Sequence, residues 1–114
     1  MKGMRRSGFL ILSALAVEPL HGYGIILAVE RMSGGEVRLA VGTLYGALDR
    51  LAGEAQVEVD HEEVVQGRLR RYYRLTGSGR VALAKELTRR ERELSAVRAE
   101  IGQVLAGFGS PEPV

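Results

Sequence analysis

Between Arg68 and Arg74 the chain places four arginines and no acid, interleaved with Leu69, Tyr72 and Tyr73. Guanidinium groups at this density suit the neutralisation of phosphate oxygens, where each contact releases counterions from a nucleic acid. Arg5 and Arg6, in a basic N-terminal arm with Lys2, are candidate phosphate contacts of the same kind. Just upstream, from Glu54 to Glu63, stand five acids and no lysine or arginine. If the two stretches are paired strands, ion pairs between them compete with phosphate for the arginines. Exposed pairs contribute about 0–1 kcal/mol each. Both readings therefore stand: a solvated ladder of ion pairs, or a basic surface that nucleic acid can take over.

Other chemistries find few residues to work with. There are no cysteines and two histidines, which removes disulfides, thiolate metal sites and cysteine nucleophiles. No carboxylates flank a histidine at helical i, i+4 spacing, no glycine loop is built to cradle a phosphate, and no nucleophile has a candidate base. The expectation is a protein that is not an enzyme and carries no cofactor or metal. The apolar run Phe9 to Leu12 is too short for a bilayer span and no signal pattern follows Met1-Lys-Gly, so a cytoplasmic protein without a membrane partner is expected. With 114 residues, 46% of them apolar and 26% charged, the chain has the size and balance of one folded unit. A net charge of +2 says little; the arrangement of charges says more.

The elements that must position these residues follow from periodicity. Ser7 is a candidate N-cap for a first helix with apolar Leu10, Ile11, Ala14 and Leu15, which Glu18-Pro19 ends. His21-Gly22-Tyr23-Gly24 opens a second helix that stops at Met32-Ser33-Gly34-Gly35, with His21 expected as a turn residue bonded to nearby backbone. Glu36 to Leu39 alternates and reads as a short strand. From Val41 to Leu51, Leu44, Leu48 and Leu51 form one helical stripe behind Ala40, a poor N-cap. Val57 to Glu62 alternates with Val57, Val59 and His61 on one face and Glu58, Asp60 and Glu62 on the other. Leu69 to Leu75 alternates too, placing Arg68, Arg70 and Arg74 on one face, and Gln66-Gly67 supplies the turn of a β-hairpin.

Helix, helix, helix and hairpin make a winged helix-turn-helix over residues 1–76, a mainly α fold with a small β-hairpin. In such a fold the helix from Val41 reads the major groove of duplex DNA with its N-terminal residues. Gly42, Thr43, Tyr45 and Arg50 are its candidate contacts. The Tyr45 hydroxyl has two roles open to it, a phosphate bond or packing against a neighbouring helix.

Ser78 is a candidate N-cap for a long C-terminal dimerisation helix over 77–108. Leu83, Leu87, Leu94, Val97, Ile101, Val104 and Phe108 keep alternating three- and four-residue steps, broken once where Arg90 takes an apolar place. The seam suits a second copy of the same helix, and the competing arrangement folds it back on its own domain. A disordered tail is expected over 109–114.

Three segments then stand in register. Leu20-His-Gly-Tyr-Gly-Ile25, Gly42-Thr-Leu-Tyr45 with Leu48 and Leu51, and Arg70-Arg-Tyr-Tyr-Arg-Leu-Thr76 followed by Gly79 resemble the PadR-like transcriptional regulators in order and spacing, from about Phe9 to Leu87. The resemblance implies a homodimer joined through its C-terminal helices that binds a pseudo-palindromic double-stranded operator, usually as a repressor. It also implies, for many members, release by a hydrophobic or aromatic small-molecule effector. Arg70 and Arg71 match the family's basic wing positions. Departures are Ala55-Gln56 where glycine and an apolar residue are usual, Gly46 beside Tyr45, and Ala40 in place of a capping serine. The chain has no tryptophan, so the stacked-tryptophan drug site of some relatives cannot be built. The competing reading is a winged-helix interaction module whose acidic strand and long helix bind another protein without DNA.

Overall fold

The structure is a computed structural model and describes residues 3–107. Four helices and three short strands follow in the order α1 (Arg6–Val17), β1 (Leu20–His21), α2 (Gly22–Met32), α3 (Val41–Gly53), β2 (Val57–Val65), β3 (Arg68–Leu75) and α4 (Gly77–Ala106). Ile11, Leu12 and Leu15 of α1, Ile25 and Val29 of α2, and Leu44, Leu48 and Leu51 of α3 form the centre of the core, closed by Val57, Leu75 and Leu83. α1 is buried on most of its circumference, so packing rather than capping sets its frame. Its N-cap is Arg5 without a side-chain bond, and Ser7, the expected cap, lies inside the first turn. The helix start is held instead by Met4, whose N–H donates to Glu86 on α4 at 3.2 Å.

His21 bonds nearby backbone as expected, and does so as the N-cap of α2, its Nδ1 accepting the Gly24 N–H at 3.3 Å. The strand expected at Glu36 to Leu39 is absent. Gly34 and Gly35 turn the chain through positive φ, and the Ser33 hydroxyl accepts the Val37 N–H. Val37 and Leu39 then pack on the core from one side. The alternation there reports that one-sided contact, whereas a strand also needs a backbone partner. A strand does form where periodicity indicates only a turn: Leu20 and His21 pair with Tyr73 and Tyr72, so the sheet has three strands in the order β1-β3-β2.

The hairpin turns at Gln66 and Gly67, both with positive φ, the two-residue geometry that matches strand twist. Its register runs Val57↔Leu75, Glu58↔Arg74 and Val59↔Tyr73, then skips Asp60 and resumes at His61↔Tyr72 and Glu62↔Arg71. This bulge overturns the simple alternation expected for β2, because side chains beyond Asp60 change face. His61 joins Tyr72 rather than Val59, and Glu62 joins Arg71 rather than the Glu58 side.

α3 ends in a Schellman arrangement: Gln56 N–H bonds the Leu51 carbonyl and Ala55 N–H that of Ala52, with Ala55 left-handed at φ 59°. Thr76, not Ser78, caps α4. Its Oγ1 accepts the Gly79 N–H at 2.9 Å and donates to the Ala55 carbonyl at 2.5 Å. A Cβ on Gly79 would run into the Gln56 carbonyl, so glycine permits the close approach. α4 is thereby fastened to the α3–β2 connection at its first turn. One turn further on, Leu83 and Glu86 are buried against the domain.

Candidate nucleic-acid interface

An open cleft lies between the wing and the helices, walled by Arg68 and Arg70 of β3 on one side and by Tyr23 and Tyr45 on the other, with His21 and Gly22 beneath. Because β1 ends at His21, the β3 edge carrying Arg68 and Arg70 is free of a strand partner on this side. Tyr45 reaches the cleft from α3. Its hydroxyl lies so close to α2 that a Cβ on Gly22 would come within 2.7 Å of it, so Gly22 makes room for the ring. Tyr45 nevertheless remains 43% exposed, so one residue packs on α2 and still borders the open cleft.

The exposed face of α3 is sparse. Gly42, Thr43 and Gly46 are exposed and open space surrounds both glycines. Helix interiors with glycine lose about 1 kcal/mol against alanine, but the bare surface allows another backbone to approach closely. Leu44, Ala47, Leu48 and Leu51 hold the helix down from the other side.

The wing arginines divide into two groups. Arg71 pairs with Glu62 at 3.2 Å, and Arg74 with Glu58 at 2.7 Å and Asp60 at 3.8 Å. Arg68 and Arg70 have no acidic partner within ion-pair distance among the described residues. Arg70 stands opposite Glu63 in the register, yet that carboxylate accepts the Tyr72 hydroxyl at 2.7 Å. The ladder is thus half realised. Each acid of β2 has a partner within its own hairpin.

The remaining basic candidates lie elsewhere. Arg6 pairs with Glu36 at 2.9 Å on the surface. Arg5 and Arg50 share a separate polar concavity with Glu54, Gln56 and Glu86, between the start of α1, the end of α3 and α4. The structure therefore gathers Tyr45, Arg68, Arg70 and Arg71 around one cleft and sets Arg5, Arg6 and Arg50 apart.

Three further groups shape the surface and were not singled out from sequence. Val64 and Leu69 face each other across the hairpin tip, both strongly exposed. Tyr72 lies between the two histidines, stacked on His61 and edge-on to His21. Glu86 is 7% exposed, bonded by Arg89 at 2.5 Å and Arg90 at 2.7 Å as well as by Met4. The interruption at Arg90 was its one visible signal: that side chain lies 4.1 Å over the Phe9 ring, tying α4 to α1.

Along the rest of α4, Leu87, Leu94, Val97, Ile101 and Val104 are exposed. Phe108 and the tail lie outside the described residues. Among the described residues no cluster of His, Asp and Glu is placed to hold a metal ion, and no helix is long and apolar enough to cross a membrane.

Three helices, a twisted hairpin and a long terminal helix define a winged helix-turn-helix protein. Residues 11–85 match the profile of the transcriptional regulator PadR-like family. The chain belongs to that family. The transcriptional regulator Rv3488 of Mycobacterium tuberculosis (strain ATCC 25618 / H37Rv) is 37% identical over 76 residues, covering 67% of this chain and 67% of that protein. An uncharacterized 37.1 kDa protein in transposon TN4556 of Streptomyces fradiae is 47% identical over 77 residues, 68% of this chain, and the chain spans 21% of its length. The crystal structure of a PadR family transcription regulator from hypervirulent Clostridium difficile R20291 matches with a TM-score of 0.64 and 26% identity, over 89% of this chain and 99% of that one. Bacillus subtilis PadR in complex with operator DNA shares the fold at a TM-score of 0.64 and 24% identity, over 73% of this chain and 47% of that one.

Proposed function

We propose that this regulator binds double-stranded operator DNA as a homodimer and represses transcription, with the exposed start of α3 in the major groove and the wing on the backbone. The observation that carries the reading is the pair Arg68 and Arg70, left without acidic partners among the described residues beside Tyr45 in an open cleft. Phosphate oxygens are the ligands such a pair suits, and neutralising them releases counterions. With Gly42, Thr43 and Gly46 on its outer face, α3 offers few long polar side chains to base edges. Specificity then rests on Thr43, Tyr45 and the spacing between the two half-sites. Exposed Leu94, Val97, Ile101 and Val104 support the dimer, since they extend a heptad seam past the domain that could bury it. The protein-module reading is less well supported, because Arg71, Arg74 and Tyr72 already engage the acids of β2.

Binding to a duplex selected from random sequences should weaken linearly in log affinity against log salt, as counterion release requires. Arg68→Ala and Arg70→Ala should each flatten that slope, by about 0.9 for every phosphate no longer neutralised. Arg71→Ala should change it less, because Glu62 shares its charge. An unchanged slope in Arg68→Ala and Arg70→Ala would show that these arginines do not touch phosphate.

A further inference from the structure

Both histidines of the chain meet one residue, Tyr72. His61 stacks on its ring with centroids 4.3 Å apart and planes 11° from parallel. His21 meets the ring edge-on at 5.2 Å and 88°. His21 is also paired with Tyr72 through the backbone of β1 and β3, and its Nδ1 caps α2 by accepting the Gly24 N–H. One imidazole thus joins the wing strand carrying Arg70 to the helix that Tyr45 packs upon.

We propose that neutral His21 is the positioning residue that fixes β3 and Arg70 against the start of α2, and that its protonation loosens this junction and weakens DNA binding. The proposal rests on the DNA-binding reading above. To accept from Gly24, Nδ1 must be bare and the single proton must sit on Nε2. An imidazolium turns N–H against N–H there. It also puts positive charge at the positive end of the α2 dipole and near Arg70. The groups around His21 are Arg68, Arg70, Arg71 and Tyr72 of β3, Glu63 of β2, Tyr23 of α2 and Tyr45 of α3, with the His61–Asp60 pair behind Tyr72. Of these the acids Glu63 and Asp60 favour the cation, and both are already engaged, Glu63 by Tyr72 and Asp60 by His61 and Arg74. Burial, then Arg70, accordingly lowers the His21 pKa against the opposite pull of Glu63. A folded-state pKa below the unfolded value means that the junction is at full strength above the unfolded pKa. It is lost as pH falls through the folded one.

The test is the affinity of the full chain for a selected duplex at constant ionic strength, from about pH 8 to about pH 5.5, the range in which histidine changes charge. Wild type and His61→Gln should both weaken several-fold on acidification. His21→Ala should bind weakly throughout. His21→Asn should recover much of that loss, since asparagine caps helices without titrating, and its pH profile should be flat. A wild-type slope retained in His21→Asn overturns the proposal, as does affinity that rises in acid, which would make the imidazolium a phosphate contact instead. Without DNA, the Gly24 amide resonance should move with the titration of His21, and a static resonance would also overturn it. A wild type showing no salt-dependent duplex binding would instead defeat the DNA-binding reading, with the Gly24 measurement still testing the junction.

Discussion

The two halves of α4 have the same kind of sequence and opposite surroundings. From Gly77 to Arg90 the helix belongs to its own domain: Thr76 ties its first turn to Ala55, Leu83 enters the core, and Glu86 and Arg90 bond the backbone of Met4, just before α1. From Glu91 to Gly107 every residue is exposed, including Leu94 at 54% and Ile101 at 40%. The apolar steps of three and four run through both halves with one break, at Arg90. Periodicity therefore reports that a helix face needs covering, and the residue that interrupts it reports what covers it. Arg90 marks the change, since its guanidinium lies over Phe9 and bonds the Met4 carbonyl and Glu86 where a leucine would have continued the seam.

The largest effect should come from removing the polar anchor of the first half. Glu86→Ala should lower monomer stability by about 2 kcal/mol. That is less than the roughly 3–5 kcal/mol for a fully buried pair, because the arginine ends remain partly in water. Chemical denaturation of a variant unable to self-associate checks it, and an unchanged midpoint would mean that Leu83 and the Thr76 cap hold the half alone. The same anchor carries a pH signature. Hydrogen bonding from Arg89, helped by Met4 and Arg90 against the opposing cost of burial, holds the Glu86 carboxyl at about 2 instead of 4.5. Its folded pKa lies below the unfolded one. The stabilisation is therefore complete above pH 4.5 and lost as pH falls toward 2, and Glu86→Gln should flatten the stability curve in that window.

A charge in the second half should act on association alone. Leu94→Glu or Ile101→Glu should weaken self-association by about tenfold or more, the order of burying one unpaired charge in an apolar seam, while leaving monomer unfolding unchanged. Sedimentation at several concentrations gives the answer, and an unaltered association constant would place the interface elsewhere. The smallest effect is expected at the root of the helix. Ala55 holds a left-handed conformation that glycine adopts without strain, so Ala55→Gly should raise stability by about 0.5–1 kcal/mol. A loss of stability would show that the methyl packs usefully.

The order of helices and hairpin was legible because each has its own apolar period, and the Gln66-Gly67 turn because few residue pairs adopt its geometry. The stripe on α3 and the bond of His21 to nearby backbone were legible for the same local reasons. What could not be read depends on distant partners. β1 exists only because β3 lies beside it, and Val37 and Leu39 alternate without a strand because no strand among the described residues lies beside them. Thr76 displaces Ser78 as cap because the Ala55 carbonyl is within its reach. Glu86 looks like any surface acid four residues before an arginine until α1 closes over it. In the candidate interface, the types were visible and the sorting was not. Register set Arg71 and Arg74 opposite acids and Arg68 opposite Val65, while the Tyr72 hydroxyl took Glu63 from Arg70; that Arg5, Arg6 and Arg50 lie away from the cleft follows from how the helices pack.

That register turns on Asp60. An extra residue in one strand works like a shift of reading frame: everything distal to it swaps sides while every residue keeps its identity. The root of the wing stays keyed to the core through Val57, and the tip is rotated as a unit. A lineage that gained or lost one residue at this position would re-aim the wing tip and its arginine pairings together, without replacing a single arginine.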